Sequence, residues 1–433
     1  MCRAFSPWKC FCTDLGRLPQ AGMGRAVGAR ARARFSRSTL LMRSSSYAPH
    51  DAPRTPAKRA IQNEALNLKT MKIKLRSSLA LLSAFGVSTA LVGCHTAASK
   101  TASTTPCLDV LPLFTAANVP AFAASEIVSL EKYTNGLTRS GLPGKGLAQH
   151  PMLYVGENCN KMFLVNDGRV IWTYSTGPRP EFDDVWMLSN GNILFSRMEY
   201  IAIITPDKKV VWRYDAQDPK VPNHTEIHAC QPIGLDKVMF VENGLPPRLK
   251  VINIKSGAVE VDHELPFEKS RGVHAQFRRA RVTAQGTYLL AFLSLDRVVE
   301  YDKDFKEIWR YNIDKPWAAL RLKNGNTLIT DEKNSLTREV NSKGETVWEF
   351  NCKTDLPSEY QLASAPQTCT RLANGNTIFT SRGRNSEGPQ LVEVTSDKKV
   401  VWVLQDWKKI ADGTAVQILD DPGIPEIPGQ SEH

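Results

Sequence analysis

Residues 188–195 (LSNGNILF), 322–330 (LKNGNTLIT) and 372–379 (LANGNTIF) spell the same turn three times. An Asn-Gly-Asn between apolar runs reads as a hairpin turn, because glycine accepts a left-handed backbone that other residues resist. Each copy is followed by an alternating strand, a polar turn and a Val-Trp ending, at 200–215 (YIAIITPDKKVVWRYD), 337–350 (TREVNSKGETVWEF) and 390–404 (QLVEVTSDKKVVWVL). Two more copies keep the ending without the turn, at 162–174 and 298–311. A weaker sixth, at 249–261, carries Glu260 where the others carry Trp. Trp172, Trp212, Trp309, Trp348 and Trp402 thus share one repeat position. A repeat of roughly 40–50 residues marks a propeller or a solenoid. The period-2 alternation excludes the helical arrays. Each unit reads as four short strands, A to D from the inside, with NGN as the A–B turn. In the unit around Trp348 these are residues 317–322, NTLIT, LTREV and TVWEF. The Trp on strand D is expected to be buried between neighbouring blades, a structural role.

Strand A is traceable near 183–188, 228–233, 276–283, 317–322 and 367–372, but not before the first unit. Residues 414–421 (TAVQILDD) align with 317–324, placing Leu419 under Leu322. The expectation is an all-β, six-bladed β-propeller over 148–421, with four-stranded blades and a ring closed by the C-terminal strand. Closure removes the exposed edge that strands otherwise present. Residues 422–433 are read as a C-terminal tail.

The formal charge of +11 would fit a nucleic-acid binder, but its location does not. Residues 1–93 hold 16 Lys/Arg against 3 Asp/Glu, and the remainder is almost neutral. No nucleic-acid partner is expected. From Met71 the chain shows a positive n-region (Lys72, Lys74, Arg76), an apolar run to about Val92, and Leu91-Val92-Gly93-Cys94. This is an export signal, too short and too broken for a membrane span. It closely resembles a bacterial lipoprotein signal, which implies cleavage before Cys94 and anchoring to the lipid bilayer through acylated Cys94. His95 follows in place of the Asp that retains such proteins at the inner membrane, so the resemblance implies the outer membrane in a Gram-negative cell. Residues 1–70 are read as a disordered upstream extension translated by mistake, with Met71 as the true start, 71–93 as the signal and 94–147 as a tether and N-terminal extension. Cys107, Cys159, Cys230, Cys352 and Cys369 remain in the exported part; Cys352 and Cys369 are one candidate pair.

The pattern L-x-N-G-N-x-L followed by G-x-x-V-W-x-[YF] resembles the quinoprotein-like (PQQ-like) propeller superfamily, which contains the bacterial arylsulfotransferases. The resemblance covers most of 150–421 and specifies scaffold more than chemistry. It implies a channel histidine acting in group transfer. The strand entries IHACQ (227–231) and VHAQF (273–277) keep His-Ala without the acid of the arylsulfotransferase signature, and the counterpart DDVWM lacks the histidine. A quinone site would need stacking Trp, vicinal Cys and a metal-binding acid, and only Trp186 and Trp317 are in place. No PQQ or metal cofactor is assigned. HTEIH (224–228) places two histidines on a loop-to-strand segment, which is not the helical zinc face of H-E-x-x-H.

The D–A and B–C loops should lie on the face opposite the NGN turns. That top face gathers Asp183 and Asp184, His224 and His228, His274, Arg278 and Arg279, Trp317, Gln367, and Thr414 or His150. The B–C loops add Arg197, Arg382 and Arg384. Arginine forks suit sulfate, phosphate or carboxylate, so a small anionic ligand is expected, with an envelope protein as the other partner class. His228 and His274 are the catalytic candidates if the protein is an enzyme. Two functions follow: a non-catalytic envelope binding protein, or a transferase or hydrolase acting on an anionic small molecule.

Overall fold

A computed structural model describes residues 139–157, 160–176, 181–217, 220, 224–431 and 433. The signal, Cys94, Cys107 and Cys159 lie outside these residues. The described residues form six four-stranded antiparallel sheets, arranged as the blades of a propeller. Blade one runs β24 (Ala415–Ile418), β1 (Met152–Gly156), β2 (Lys161–Asn166), β3 (Arg169–Ser175). Blade two holds β4 (Phe182–Met187), β5 (Ile193–Arg197), β6 (Tyr200–Ile204) and β7 (Val210–Asp215). Blade three holds β8 (Glu226–Ile233), β9 (Lys237–Asn243), β10 (Arg248–Asn253) and β11 (Val259–Glu264). Blade four holds β12 (Phe277–Val282), β13 (Tyr288–Phe292), β14 (Arg297–Tyr301) and β15 (Glu307–Asn312). Blade five holds β16 (Pro316–Arg321), β17 (Thr327–Asp331), β18 (Leu336–Val340) and β19 (Thr346–Asn351). Blade six holds β20 (Cys369–Arg371), β21 (Thr377–Thr380), β22 (Leu391–Val394) and β23 (Val400–Leu404). The expected closure is present, with Met152 opposite Ile418 and Val155 opposite Ala415.

The core is divided among the seams. Each of six apolar clusters is built from two adjacent blades, for example Leu164, Trp172 and Ala415 with Phe182, Phe195 and Ala202 at seam one–two. Inner strands are therefore buried on both faces, whereas β7, β11 and β15 alternate toward solvent, as outermost strands must.

The NGN turn is explained residue by residue. The first Asn oxygen accepts the backbone N–H two residues on, at Asn190, Asn324 and Asn374. The glycines have φ of 82°, 86° and 86°. In blades five and six the second Asn donates to a strand-C glutamate: Asn326 to Glu339 and Asn376 to Glu393, each at 2.7 Å. Those glutamates lie opposite the repeated tryptophans, Trp348 and Trp402.

The tryptophans fasten seams by hydrogen bonding as well as packing. Trp172 donates to Pro206 O, Trp309 to Ser342 O and Trp348 to Ser396 O, each in the C–D turn of the next blade, at 2.9–3.0 Å. Trp402 donates to Gly146 O in the 3-10 turn before blade one. Full burial holds only for Trp172 and Trp402; Trp212, Trp309 and Trp348 are half-buried, because strand D is the outermost layer. A second correction concerns blade three. The β10–β11 bulge places Val261, not Glu260, opposite Val251 at the Trp position, and Glu260 pairs instead with Lys237 at 2.7 Å. A third concerns the thiols: Cys352 and Cys369 are both free and buried in one apolar cluster, and Cys230 is free and buried too.

Residues 422–431 and His433 fold back against the NGN face. Glu426 accepts from Ser189 N and Oγ at 2.6 and 2.9 Å, and its carbonyl accepts from Gly234 N. The His433 ring packs on Trp186 with centroids 4.1 Å apart.

Candidate functional site

The strands that line the channel share one irregularity. Where strand A pairs with strand B, the register slips between Phe182 and Asp184, Ile227 and Ala229, Phe277 and Arg279, and Pro316 and Ala318. Each slip leaves one residue unopposed: Asp183, His228, Arg278 and Trp317. Blade six repeats it, since Thr380 bonds both Gln367 and Thr368. So does blade one, where Val155 faces Ala415 and also accepts from Thr414 N. A β-bulge re-aims a side chain, so six bulges in a closed ring set six side chains at one level of the channel. Five of these residues carry polar side chains and the sixth is Trp317, whose ring the Arg278 guanidinium overlies at 4.9 Å.

Around this ring the structure adds three acids that the sequence reading did not include: Glu157, Glu181 and Glu226. His228 is 1% exposed, with Nδ1 3.1 Å from Asp183 Oδ2 and Nε2 3.0 Å from Glu226 Oε2. The same Glu226 oxygen lies 2.8 Å from His274 Nδ1, and His224 stands 3.6 Å from the other. The two imidazoles meet edge to face at 5.0 Å. Glu181 Oε1 is 3.7 Å from His228 Nδ1 and 4.0 Å from His274 Nε2. Glu157 accepts from Arg382 at 3.3 Å and from Gln367 at 3.5 Å.

The electrostatics follow from this crowding. Burial, then Asp183 and Glu157, push the Glu181 carboxyl well above the usual carboxylate range. Burial also resists ionisation of Glu226, but hydrogen bonds from His228 and His274 outweigh it and hold Glu226 well below that range. Burial and Arg278 oppose protonation of His228; Asp183 and Glu226 overcome them and raise its pKa.

Of the expected residues, Asp183, His224, His228, His274, Arg278, Trp317, Gln367 and Arg382 belong to this connected cluster. Arg197 does not: it sits in its own blade, 3.7 Å from Glu199 and over the Tyr200 ring. Arg384 is exposed and bridges to Glu387. Asp184 and Arg279 lie below the mouth, because the residue after the bulge resumes the buried register. Asp184 binds Arg281 at 2.8 and 3.2 Å and Arg279 at 3.3 Å. His150 is at the other end, in the six–one seam, between Glu393 at 3.0 Å and Asp420. A cavity of about 210 Å³ lies there, and a groove of about 600 Å³ follows seam four–five beside Trp309 and Arg321. Neither reaches the histidine cluster.

The molecule is thus a six-bladed β-propeller with a histidine- and carboxylate-bearing mouth. The sequence matches no family model and no curated protein. Among solved structures it is similar to a protein of unknown function from Bacteroides caccae, at 24% identity and TM-score 0.53, over 61% of this chain and 97% of that one. A catalytically inactive virginiamycin B lyase from Staphylococcus aureus with quinupristin gives 14% identity and TM-score 0.43, over 64% and 90%. BamB from Moraxella catarrhalis gives 14% and 0.35, over 54% and 66%. The first of these supports the fold alone.

Proposed function

We propose that the protein is an exported, lipid-anchored propeller that binds a small anionic ligand in its top-face mouth without transforming it. One observation carries the ligand class: Arg278. Its guanidinium lies over the Trp317 ring, 4.9 Å from the centroid, and its Nη1 donates to the carbonyls of His274 and Phe277, which fixes the charge at the mouth. A guanidinium fixed beside half-exposed His274 offers positive charge and a planar donor fork to a carboxylate, sulfate or phosphate monoester. Isothermal titration with sulfate, phosphate and short carboxylates tests this; saturable binding that Arg278→Ala removes supports it, and no binding of any anion overturns it.

The export signal and Cys94 support anchoring in the cell envelope, with the outer membrane favoured by His95. Cys94→Ala should release the protein from the membrane fraction; retention there refutes the anchor.

A second reading is group transfer or hydrolysis, in line with the resemblance to arylsulfotransferases. Glu226 behind half-exposed His274 forms the carboxylate–imidazole pair that general acid–base chemistry uses. Turnover of an aryl sulfate or phosphate ester, lost in His274→Ala, would establish this reading in place of the first.

A further inference from the structure

Three donor groups converge on the mouth from three blades: Glu181 before β4, His228 in β8 and His274 before β12. Their donor atoms all lie within 4.8 Å of one another. Each arrives from a different repeat, so the fold alone brings them together. What distinguishes the group from a casual cluster is Glu226. One of its oxygens faces Nε2 of His228 at 3.0 Å and Nδ1 of His274 at 2.8 Å. A carboxylate on one nitrogen of each ring holds a proton there and leaves the opposite nitrogen as the one available to a metal; at His228 that nitrogen also faces Asp183 at 3.1 Å, so metal binding displaces the proton shared with Asp183. Those opposite nitrogens, His228 Nδ1 and His274 Nε2, are the two that face Glu181 Oε1, at 3.7 and 4.0 Å. A carboxylate behind each ligating imidazole is how proteins fix the tautomer and orientation of metal-bound histidines.

We propose that Glu181, His228 and His274 bind one Zn²⁺ ion, with its fourth position open to the mouth. Tetrahedral zinc needs donors roughly 3.3 Å apart. The two measured edges therefore contract by less than about an ångström on binding. His274, with its side chain 52% exposed, has room to make that shift. The buried His228 instead serves as the fixed corner. Two imidazoles with one carboxylate select zinc over magnesium or calcium, which take all-oxygen shells. Asp183, 3.1 Å from His228 Nδ1, is placed to accept a hydrogen bond from a metal-bound water. The inference rests on the anion-binding reading of this mouth and deepens it. Glu157, Glu181, Asp183 and Glu226 make the mouth rich in carboxylates, and a dication gives an anion its ligand position there.

The test uses the full chain, stripped with EDTA and titrated with ZnCl₂ by calorimetry and with Co²⁺ by visible absorption. The expected result is one equivalent of zinc and tetrahedral cobalt bands. His274→Ala and Glu181→Gln should each lower zinc affinity at least tenfold while the melting temperature of the stripped protein holds. Glu226→Gln should weaken affinity about 10–100-fold and keep one equivalent. Absence of saturable zinc uptake by the stripped wild type overturns the site, as does wild-type affinity in His274→Ala. The two readings fail separately. Anion binding that persists in stripped protein unable to take up zinc sinks the metal site alone; zinc uptake with no anion binding leaves the metal site standing and sinks the anion reading.

Discussion

Arg281 of blade four closes on Asp184 of blade two with two hydrogen bonds, 2.8 and 3.2 Å long, beneath the mouth. Arg279 adds a third contact to the same carboxylate. Burial alone would raise the Asp184 pKa; the two guanidiniums reverse this and lower it. Asp184 also accepts from Val185 N and Cys230 N, so one fully buried carboxylate ties three blades together. Asp184→Asn leaves two arginines uncompensated and should cost about 3–5 kcal/mol. Urea denaturation measures it, and a loss under about 1 kcal/mol would mean the pair is solvated.

The seam tryptophans should separate by depth. Trp402→Ala, at a buried position, should cost about 3–5 kcal/mol. Trp309→Ala, at a half-exposed one, should cost clearly less despite making the same type of hydrogen bond. Equal losses in denaturant titrations would show that the hydrogen bond, not burial, dominates.

Blades four to six share a lock in which a strand-C glutamate meets a cation from the next blade beside the repeated Trp. Arg321 meets Glu300, Arg371 meets Glu339, and His150 meets Glu393. The histidine makes the last lock pH-dependent. Burial opposes its charge, but Asp420 and Glu393 outweigh burial and raise its pKa to about 9. The folded value exceeds the unfolded one of about 6.5, so this stabilisation is complete below about pH 6.5 and is lost as pH rises through about 9. His433 has the opposite sign. Burial, then Arg281, lowers it to about 3, so its contribution is present above about pH 6.5 and fades as pH falls toward 3. Melting temperature against pH should therefore drop on both sides of neutrality. His150→Gln should flatten the alkaline side only; an unchanged alkaline slope would refute the assignment.

At the mouth, Arg278→Lys keeps the charge but gives up the planar fork that lies over the Trp317 ring. Anion affinity should fall about tenfold or more. An unchanged titration isotherm would mean that charge alone suffices.

The blades were legible because their grammar is local. Alternation recurs in every copy, the NGN turn and Val-Trp in three of the six, so even the displaced strand A of blade one could be found by alignment. The site was half legible for the same reason: aligning strand entries selects Asp183, His228, Arg278, Trp317, Gln367 and Thr414, the bulge residues. The bulge itself was not legible, since it depends on pairing register, and so Asp184 and Arg279 were placed one level too high. Glu181 and Glu226 carry a signal of their own. Each lies two residues before a bulge residue, and period-2 alternation sets such residues on one face. Glu157 left none, because it comes from a B–C loop where the copies differ.

The pairing of β24 with β1 has a consequence for the order of assembly. Met152 and Ile418 are register partners from opposite ends of the propeller, so blade one cannot form until residue 418 has been synthesised. Blades two to six close by short local hairpins, whereas the last joint carries the loop-closure entropy of the whole ring. Until that joint forms, β1 presents a bare edge. The chain is then most open to proteolysis and to pairing with another copy, and a strand resembling residues 415–418 supplied in trans would compete for that place.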